Sequence, residues 1–301
     1  MKDPEQISAG HVPVLLAEAI DFLAPRDGGV YVDATFGGGG YSQAILHRSS
    51  PGGRVIALDR DRDALRQGET MAEPSGRLEL VWGSFADLGP HLDRLGVDSV
   101  DGIVADLGLS SLQLDDPNRG FSFSRDGALD MRFDRSQGTS AADLVNRSSQ
   151  SELADILYHY GEERRARAIA KRIVASRPIT TTRELRGAVV AVSGPRRRGI
   201  DPATRTFQAL RIAVNDELRA LDSLLREGPE RLGAGGRLIV VSYHSLEDRA
   251  VKLAFRDRAR SAGSAYRVLT KKPVIAGAEE VYENPRARSA KLRVLERVDE
   301  T

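Results

Sequence analysis

Val30-Tyr31-Val32-Asp33-Ala34-Thr35-Phe36-Gly37-Gly38-Gly39-Gly40-Tyr41-Ser42 is the stretch from which the rest of the chain can be read. A short apolar run with strand character ends in an acid, four glycines follow, and a helix-compatible segment begins at Gln43. Glycine enters the left-handed region without a Cβ penalty, so the backbone can turn sharply and lie close against a ligand. The start of a helix just behind it presents unpaired N–H groups. A strand, a glycine turn and a helix in that order form a ligand-binding turn at the carboxyl end of the first strand of an α/β sheet.

Spacing narrows the ligand. The dinucleotide pattern G-x-G-x-x-G fails, because its third glycine would fall on Ser42 or Gln43. The stretch reads better as Asp33-x-Thr35-x-Gly37-x-Gly39. That is similar to the acid-x-Gly-x-Gly-x-Gly loop of S-adenosylmethionine (SAM) methyltransferases, with Thr35 at the first glycine. Downstream, Arg54 to Leu58 reads as a second buried strand ending in Asp59, twenty residues after Gly39. A doubly wound fold places there an acid that accepts hydrogen bonds from ribose hydroxyls. The same Asp59 can instead cap a following helix over Asp61–Met71.

The alternation continues. Leu78–Trp82 is a third strand, with Phe85 at its end as an adenine-stacking ring or a core residue. A helix over about Asp87–Leu95 follows, and Ser99–Asp106 is a fourth strand. Strands alternating with helices predict a parallel sheet. The rhythm stops at residues 115–135, which are rich in Gly, Asp, Arg and Phe without a clear period. Capping-box signatures at Ser149-x-x-Glu152 and Thr181-x-x-Glu184 open helices, and a basic helix is expected over Glu162–Ser176. A single long helix is expected over about Thr204–Arg231, then a fifth strand over Arg237–Ser242. Two weaker strands, Tyr266–Thr270 and Lys291–Arg297, close the chain as a terminal hairpin. The expected architecture is α/β, a Rossmann-like seven-stranded sheet of the class I SAM-dependent methyltransferase type. Its domain would span 1–114 and 213–301, with an inserted helical domain over 115–212.

Composition sets outer bounds. At 301 residues, 41% hydrophobic and 29% charged, the chain is long enough for a sizeable core. Without cysteine it has neither a disulfide framework nor a thiolate nucleophile. No apolar run approaches the length of a membrane span, so the expected location is cytoplasmic and no membrane partner is expected. A net charge of +1 hides an asymmetry: residues 160–211 carry thirteen Arg and Lys against four Asp and Glu. Such a segment either presents a basic surface to a polyanion or forms separate solvated helix faces. No cluster has convincing metal-ligand spacing.

Several long stretches are more specific. They include His11-x-Pro13-Val14-Leu15-Leu16, Asp106-Leu107-Gly108-x-Ser110-Ser111-x-Gln113-Leu114-Asp115 and Arg119-Gly120-Phe121-Ser122-Phe123. Asp126-Gly127-x-Leu129-Asp130-Met131-Arg132, Pro202-Ala203-Thr204-Arg205-Thr206-Phe207-Gln208-Ala209 and His244-Ser245-Leu246-Glu247-Asp248-Arg249 belong with them. Together with the glycine loop they resemble the ribosomal RNA small subunit methyltransferase H family, the 16S rRNA cytosine-N4 methyltransferases. The resemblance covers nearly the whole chain. It implies SAM as cofactor, 16S rRNA in the small ribosomal subunit as partner, and methylation of the exocyclic N4 of a cytidine in the decoding region. Oligomeric state stays open, a homodimer included.

The cofactor set expected from the loop and from the resemblance is Asp33, Gly37, Gly39, Gly40, Tyr41, Asp59, Phe85, Asp106 and Gln113. The family often has His where this chain has Tyr41, so only a backbone contact is expected there. Cytidine N4 is a weak nucleophile, and an acceptor for its protons would assist transfer. Asp106 is the candidate catalytic residue; a purely cofactor-binding role is the alternative. Candidates for RNA contact are Arg132, Arg196, Arg197, Arg198, Arg205 and His244, of which Arg132 and Arg205 can equally buttress the insertion and His244 can be structural. Phe121 and Phe123 suit either a flipped base or the insertion core. A small-molecule or DNA amino methyltransferase, and a non-catalytic RNA-binding factor on the same fold, are the competing readings.

Overall fold

The computed structural model describes residues 12–71, 76–194 and 201–298. His11 and Arg196–Arg198 lie outside the described residues. The chain divides into two compact units, one of residues 1–109 with 219–301 and the other of 110–218.

The first unit is built on seven strands: β1 (Val30–Asp33), β2 (Arg54–Asp59), β3 (Leu78–Trp82), β4 (Val100–Asp106), β5 (Leu232–Ser242), β6 (Tyr266–Val268) and β7 (Lys291–Arg297). Their spatial order is β3-β2-β1-β4-β5-β7-β6. The first five are parallel, and β7 runs antiparallel to both β5 and β6. The last two strands therefore pair as expected, but β7 inserts beside β5 and leaves β6 at the edge.

Period-two alternation divides the core between the two faces of the sheet. Val55, Ala57, Val104, Ile239 and Val241 pack on one face with α1 (Leu16–Leu23) and α2 (Gly40–Arg48). Ile56, Leu58, Ile103, Ala105, Leu238 and Val240 pack on the other. There they meet α4 (Leu88–Arg94), α11 (Glu217–Glu227) and α12 (Ser245–Arg260). α3 (Arg62–Glu69) follows β2, and α13 (Ala278–Glu283) lies in the β6–β7 connection. Edge strand β6 stops at Val268, short of the expected Thr270, because the hydroxyl of Thr270 takes over the ladder and accepts the Val294 N–H at 2.9 Å.

The second unit contains α5 (Ser111–Asp115), α6 (Ala141–Arg147), α7 (Gln150–Gly161), α8 (Ala166–Ala175), α9 (Thr182–Ser193) and α10 (Thr204–Asn215). Capping boxes at Ser149/Glu152 and Thr181/Glu184 open α7 and α9 at the anticipated residues. The basic helix starts four residues later than expected, because Glu162 takes the left-handed conformation that ends α7. The aperiodic stretch 115–135 is held by its own contacts. Phe121 stacks on Phe133 at 5.6 Å, and the buried Arg119 donates to the carbonyls of Arg132 and Phe133.

The single helix expected over Thr204–Arg231 is two helices. Asp216 adopts φ 53°, its N–H returns to the Ile212 carbonyl, and α11 starts afresh at Glu217. Asn215 explains the break. Its amide donates to the Met131 carbonyl at 2.7 Å and accepts from the Phe133 N–H at 2.8 Å, tying the end of α10 to a distant loop. The unit boundaries fall outside 115–212 for related local reasons: the Ser110/Gln113 capping box begins the unit, and the Arg211–Glu217 fork closes it.

Candidate active site

The carboxyl ends of β1, β2 and β4 are neighbours in the sheet, and each ends in an acid: Asp33, Asp59 and Asp106. The glycine loop leaves β1 between the other two. Asp59 accepts the Gly37 N–H on Oδ2 and the Asp61 N–H on Oδ1, both at 2.8 Å. The helix cap expected as the alternative role of Asp59 belongs to Asp61, which accepts the Asp63 N–H. Thr35, standing where the SAM-loop pattern has glycine, uses its hydroxyl to accept the Asp106 N–H at 2.7 Å and so joins the loop to β4.

Two glycines are required by geometry. Gly39 has φ 77° and forms the N-cap of α2, and a Cβ there would lie 2.8 Å from Phe36 Cζ. At Gly40 a Cβ would lie 2.4 Å from Pro13 Cγ. A Gly40→Ala variant is expected to lose about 1–3 kcal/mol of stability, because a proline ring has little room to yield; urea unfolding measures it, and an unchanged midpoint would contradict the packing. A Cβ on Gly38 would instead meet nothing within 4 Å, so the loop faces open space at that point.

Electrostatics mark the same place. None of Asp33, Asp59 and Asp106 makes an ion pair among the described residues. Burial pushes the Asp33 carboxyl up to about 6, against hydrogen bonds from Ser42 and Thr35 that favour its charge. Burial likewise lifts Asp59 to about 6, with Asp61 and Asp33 adding repulsion. Asp106 rises to about 7, chiefly through burial; the Tyr243 hydroxyl opposes the rise, and the charges of Asp33 and Glu247 add to it. Three acids without a cation suit a cationic ligand. Open space at Gly38, the amides at the start of α2 and a hydroxyl-accepting carboxylate at Asp59 therefore fit SAM, whose sulfonium and ammonium are both positive.

The expected site residues separate by environment. Asp33 has no exposed surface; Ser42 Oγ donates to it at 2.7 Å and the Thr35 N–H at 3.2 Å. It is a brace for the loop, which corrects its place among ligand contacts. Tyr41 is also enclosed, and its hydroxyl donates to the Val14 carbonyl, so only its backbone can face a ligand. Phe85 is half-buried at the end of β3 and packs partly against the core. Gln113 belongs to the second unit, where its Oε1 accepts the Ser110 N–H in the capping box of α5.

Three RNA candidates have structural duties. Arg132 forks onto Asp130 with both bonds at 2.8 Å and reaches the carbonyls of Gln137 and Gly138, so its guanidinium is engaged within its own unit. His244 caps α12: Nδ1 accepts the Glu247 N–H, which places the proton on Nε2, 3.1 Å from Glu247 Oε1. Half-buried and capping, it has a structural duty at the start of α12, and its strand-end position gave no warning of that. Arg205 is exposed, with one bond to the Glu162 carbonyl. Phe121 and Phe123 belong to the insertion core, the latter edge-on to Phe207 at 5.0 Å.

One site residue escaped the sequence reading. The Tyr243 hydroxyl donates to Asp106 Oδ1 at 2.7 Å. The strand order contains the signal: β4 and β5 are neighbours, and Asp106 pairs with Val241, so the residue two beyond Val241 emerges beside the acid.

Comparison with known proteins agrees with this geometry. The model of the MraW methylase family matches residues 8–298. Ribosomal RNA small subunit methyltransferase H of Bradyrhizobium diazoefficiens is 53% identical, with 96% of this chain and 92% of that protein covered. The proteins of that name from Thermomicrobium roseum (99% of this chain, 96% of that protein) and Cyanothece sp. (96% and 95%) are each 51% identical. With the seven-stranded sheet, the glycine loop and the acids at its strand ends, the chain belongs to the MraW methylase family of SAM-dependent methyltransferases.

Proposed function

We propose that this enzyme methylates the exocyclic N4 of a cytidine in the decoding region of 16S rRNA, acting on the small ribosomal subunit in the cytoplasm. The observation that carries the reading is the asymmetric Asp106 carboxylate, whose Oδ1 is held by Tyr243 while Oδ2 has no partner among the described residues. The relatives' shared name supports the rRNA substrate.

The backbone amides of Gly38, Gly40 and Tyr41 would hold the amino-acid end of the cofactor, Asp59 would accept hydrogen bonds from its ribose hydroxyls, and Phe85 would lie against its adenine; the Gly37 amide is already donated to Asp59. When bound, SAM supplies an electrophilic methyl group. Asp106 accepts a hydrogen bond from the N4 amine, which favours a pyramidal nitrogen with its lone pair available. Oδ2 then takes the proton that the methylated, positively charged nitrogen must release. A carboxylate with a pKa of about 7 is suited to that transfer near neutral pH. The second unit, with exposed Arg205, is the proposed RNA-recognition part.

Small subunits from a strain lacking the activity, incubated with labelled SAM and digested to nucleosides, are expected to carry label in N4-methylcytidine by mass spectrometry. Label in 5-methylcytidine or in adenosine would overturn the assignment.

A further inference from the structure

Asp106 is held from two sides. Its backbone N–H donates to Thr35 Oγ1, and its Oδ1 accepts the Tyr243 hydroxyl, both at 2.7 Å. The Tyr243 side chain is itself fixed. Its ring packs partly into the apolar cluster on one face of the sheet, and its N–H donates to Glu247 Oε2 at 2.9 Å. The charged and titratable groups around the pair offer no cation: Asp33 from β1, Glu247 from α12, and Tyr41 from α2 near Tyr243. Tyr41 is committed to the Val14 carbonyl, so Tyr243 is the one side-chain donor to Asp106 among the described residues.

We infer that Tyr243 is a positioning residue for methyl transfer, its hydroxyl fixing Oδ1 of Asp106 so that Oδ2 alone faces the substrate amine. The inference rests on the role given to Asp106 under Proposed function. A hydrogen bond to the charged carboxylate favours that charge, so the phenol also offsets the burial and the neighbouring acids that oppose ionisation. Tyr243 stays neutral, because burial and the adjacent carboxylate drive its own pKa far upward. It therefore acts through Asp106 and takes no substrate proton.

The test uses the full chain, hypomethylated small subunits and labelled SAM across pH 5.5–9.5. Tyr243→Phe removes one oxygen and leaves the ring. The acid limb of kcat is expected to move up by about one pH unit. Loss of ionised Asp106 alone then lowers kcat at pH 7 about fivefold, while the KM for SAM stays within about twofold of the parent. Site-specific 3-fluorotyrosine at 243, a stronger donor, is expected to move the limb down; it carries the test should the phenylalanine variant not fold. A purely structural hydroxyl would change stability without moving the limb. An unshifted limb in both variants, with Asp106→Asn inactive, overturns this inference alone. Full activity in Asp106→Asn overturns the Asp106 reading, and this inference falls with it.

Discussion

Asp106→Asn is expected to lower kcat on small subunits by roughly 10²–10³-fold, the usual worth of a positioned proton acceptor. SAM binding should be largely retained. Asparagine keeps the shape and can still accept the Tyr243 hydroxyl on Oδ1, but it cannot take a proton from N4. The same variant should be more stable than the parent at high pH. The native Asp106 carboxyl titrates at about 7 against an unfolded value near 3.8. Between these values the native state keeps a proton that the unfolded chain has released, so stability falls as pH rises through that window. The share of this one carboxyl in the loss from pH 5 to pH 8 is about 2–3 kcal/mol; that share should disappear in the asparagine variant, while the smaller shares of Asp33 and Asp59, both raised to about 6, remain. Calorimetric binding of SAM, single-turnover rates and thermal unfolding at the two pH values give all three readouts. Near-normal turnover with intact cofactor binding would leave Asp106 as a cofactor residue only. The expected combination, gained stability with lost activity, is what an uncompensated acid kept for chemistry should give.

Asp59→Ala should act on the other substrate. It deletes the acceptor proposed for the ribose hydroxyls and also frees the Gly37 N–H and Asp61 N–H that Asp59 now binds. Hydrogen bonds to a charged group are worth about 1.5–3 kcal/mol, so the Kd for SAM should rise about 10–100-fold. At saturating SAM, kcat should fall far less. Titration calorimetry with SAM, alongside turnover at saturating cofactor, separates the two effects. Unchanged affinity would remove Asp59 from the cofactor site and leave it as a loop brace like Asp33.

The contrast between these acids shows where local reading stops. Asp33, Asp59 and Asp106 look alike in sequence, each closing an apolar run. In space Asp33 is sealed behind the loop by Ser42 and Thr35, while Asp59 and Asp106 keep some exposure. The arginines teach the same lesson. Arg132 and Arg211 sit in charged motifs that invite a phosphate, but each forks onto a carboxylate of its own unit, Asp130 and Glu217. His244 could be read as a ligand until its neighbour Glu247 proved to complete a capping box with it.

The sequence by itself determined the strands, the parallel character of the earlier ones, the glycine loop and the helix starts marked by capping boxes. Each of these depends on residues a few positions apart: side-chain alternation, positive φ, or a hydroxyl facing an amide three residues on. The tertiary structure alone decided the break at Asp216, the insertion of β7 beside β5, the sealing of Asp33 and the pairing of Tyr243 with Asp106. Those outcomes join residues as far apart as Asn215 and Met131, or Asp106 and Tyr243, and no local spacing encodes which of them will meet. Burial, which sets the pKa of Asp106, likewise arises only when the strand ends are brought side by side.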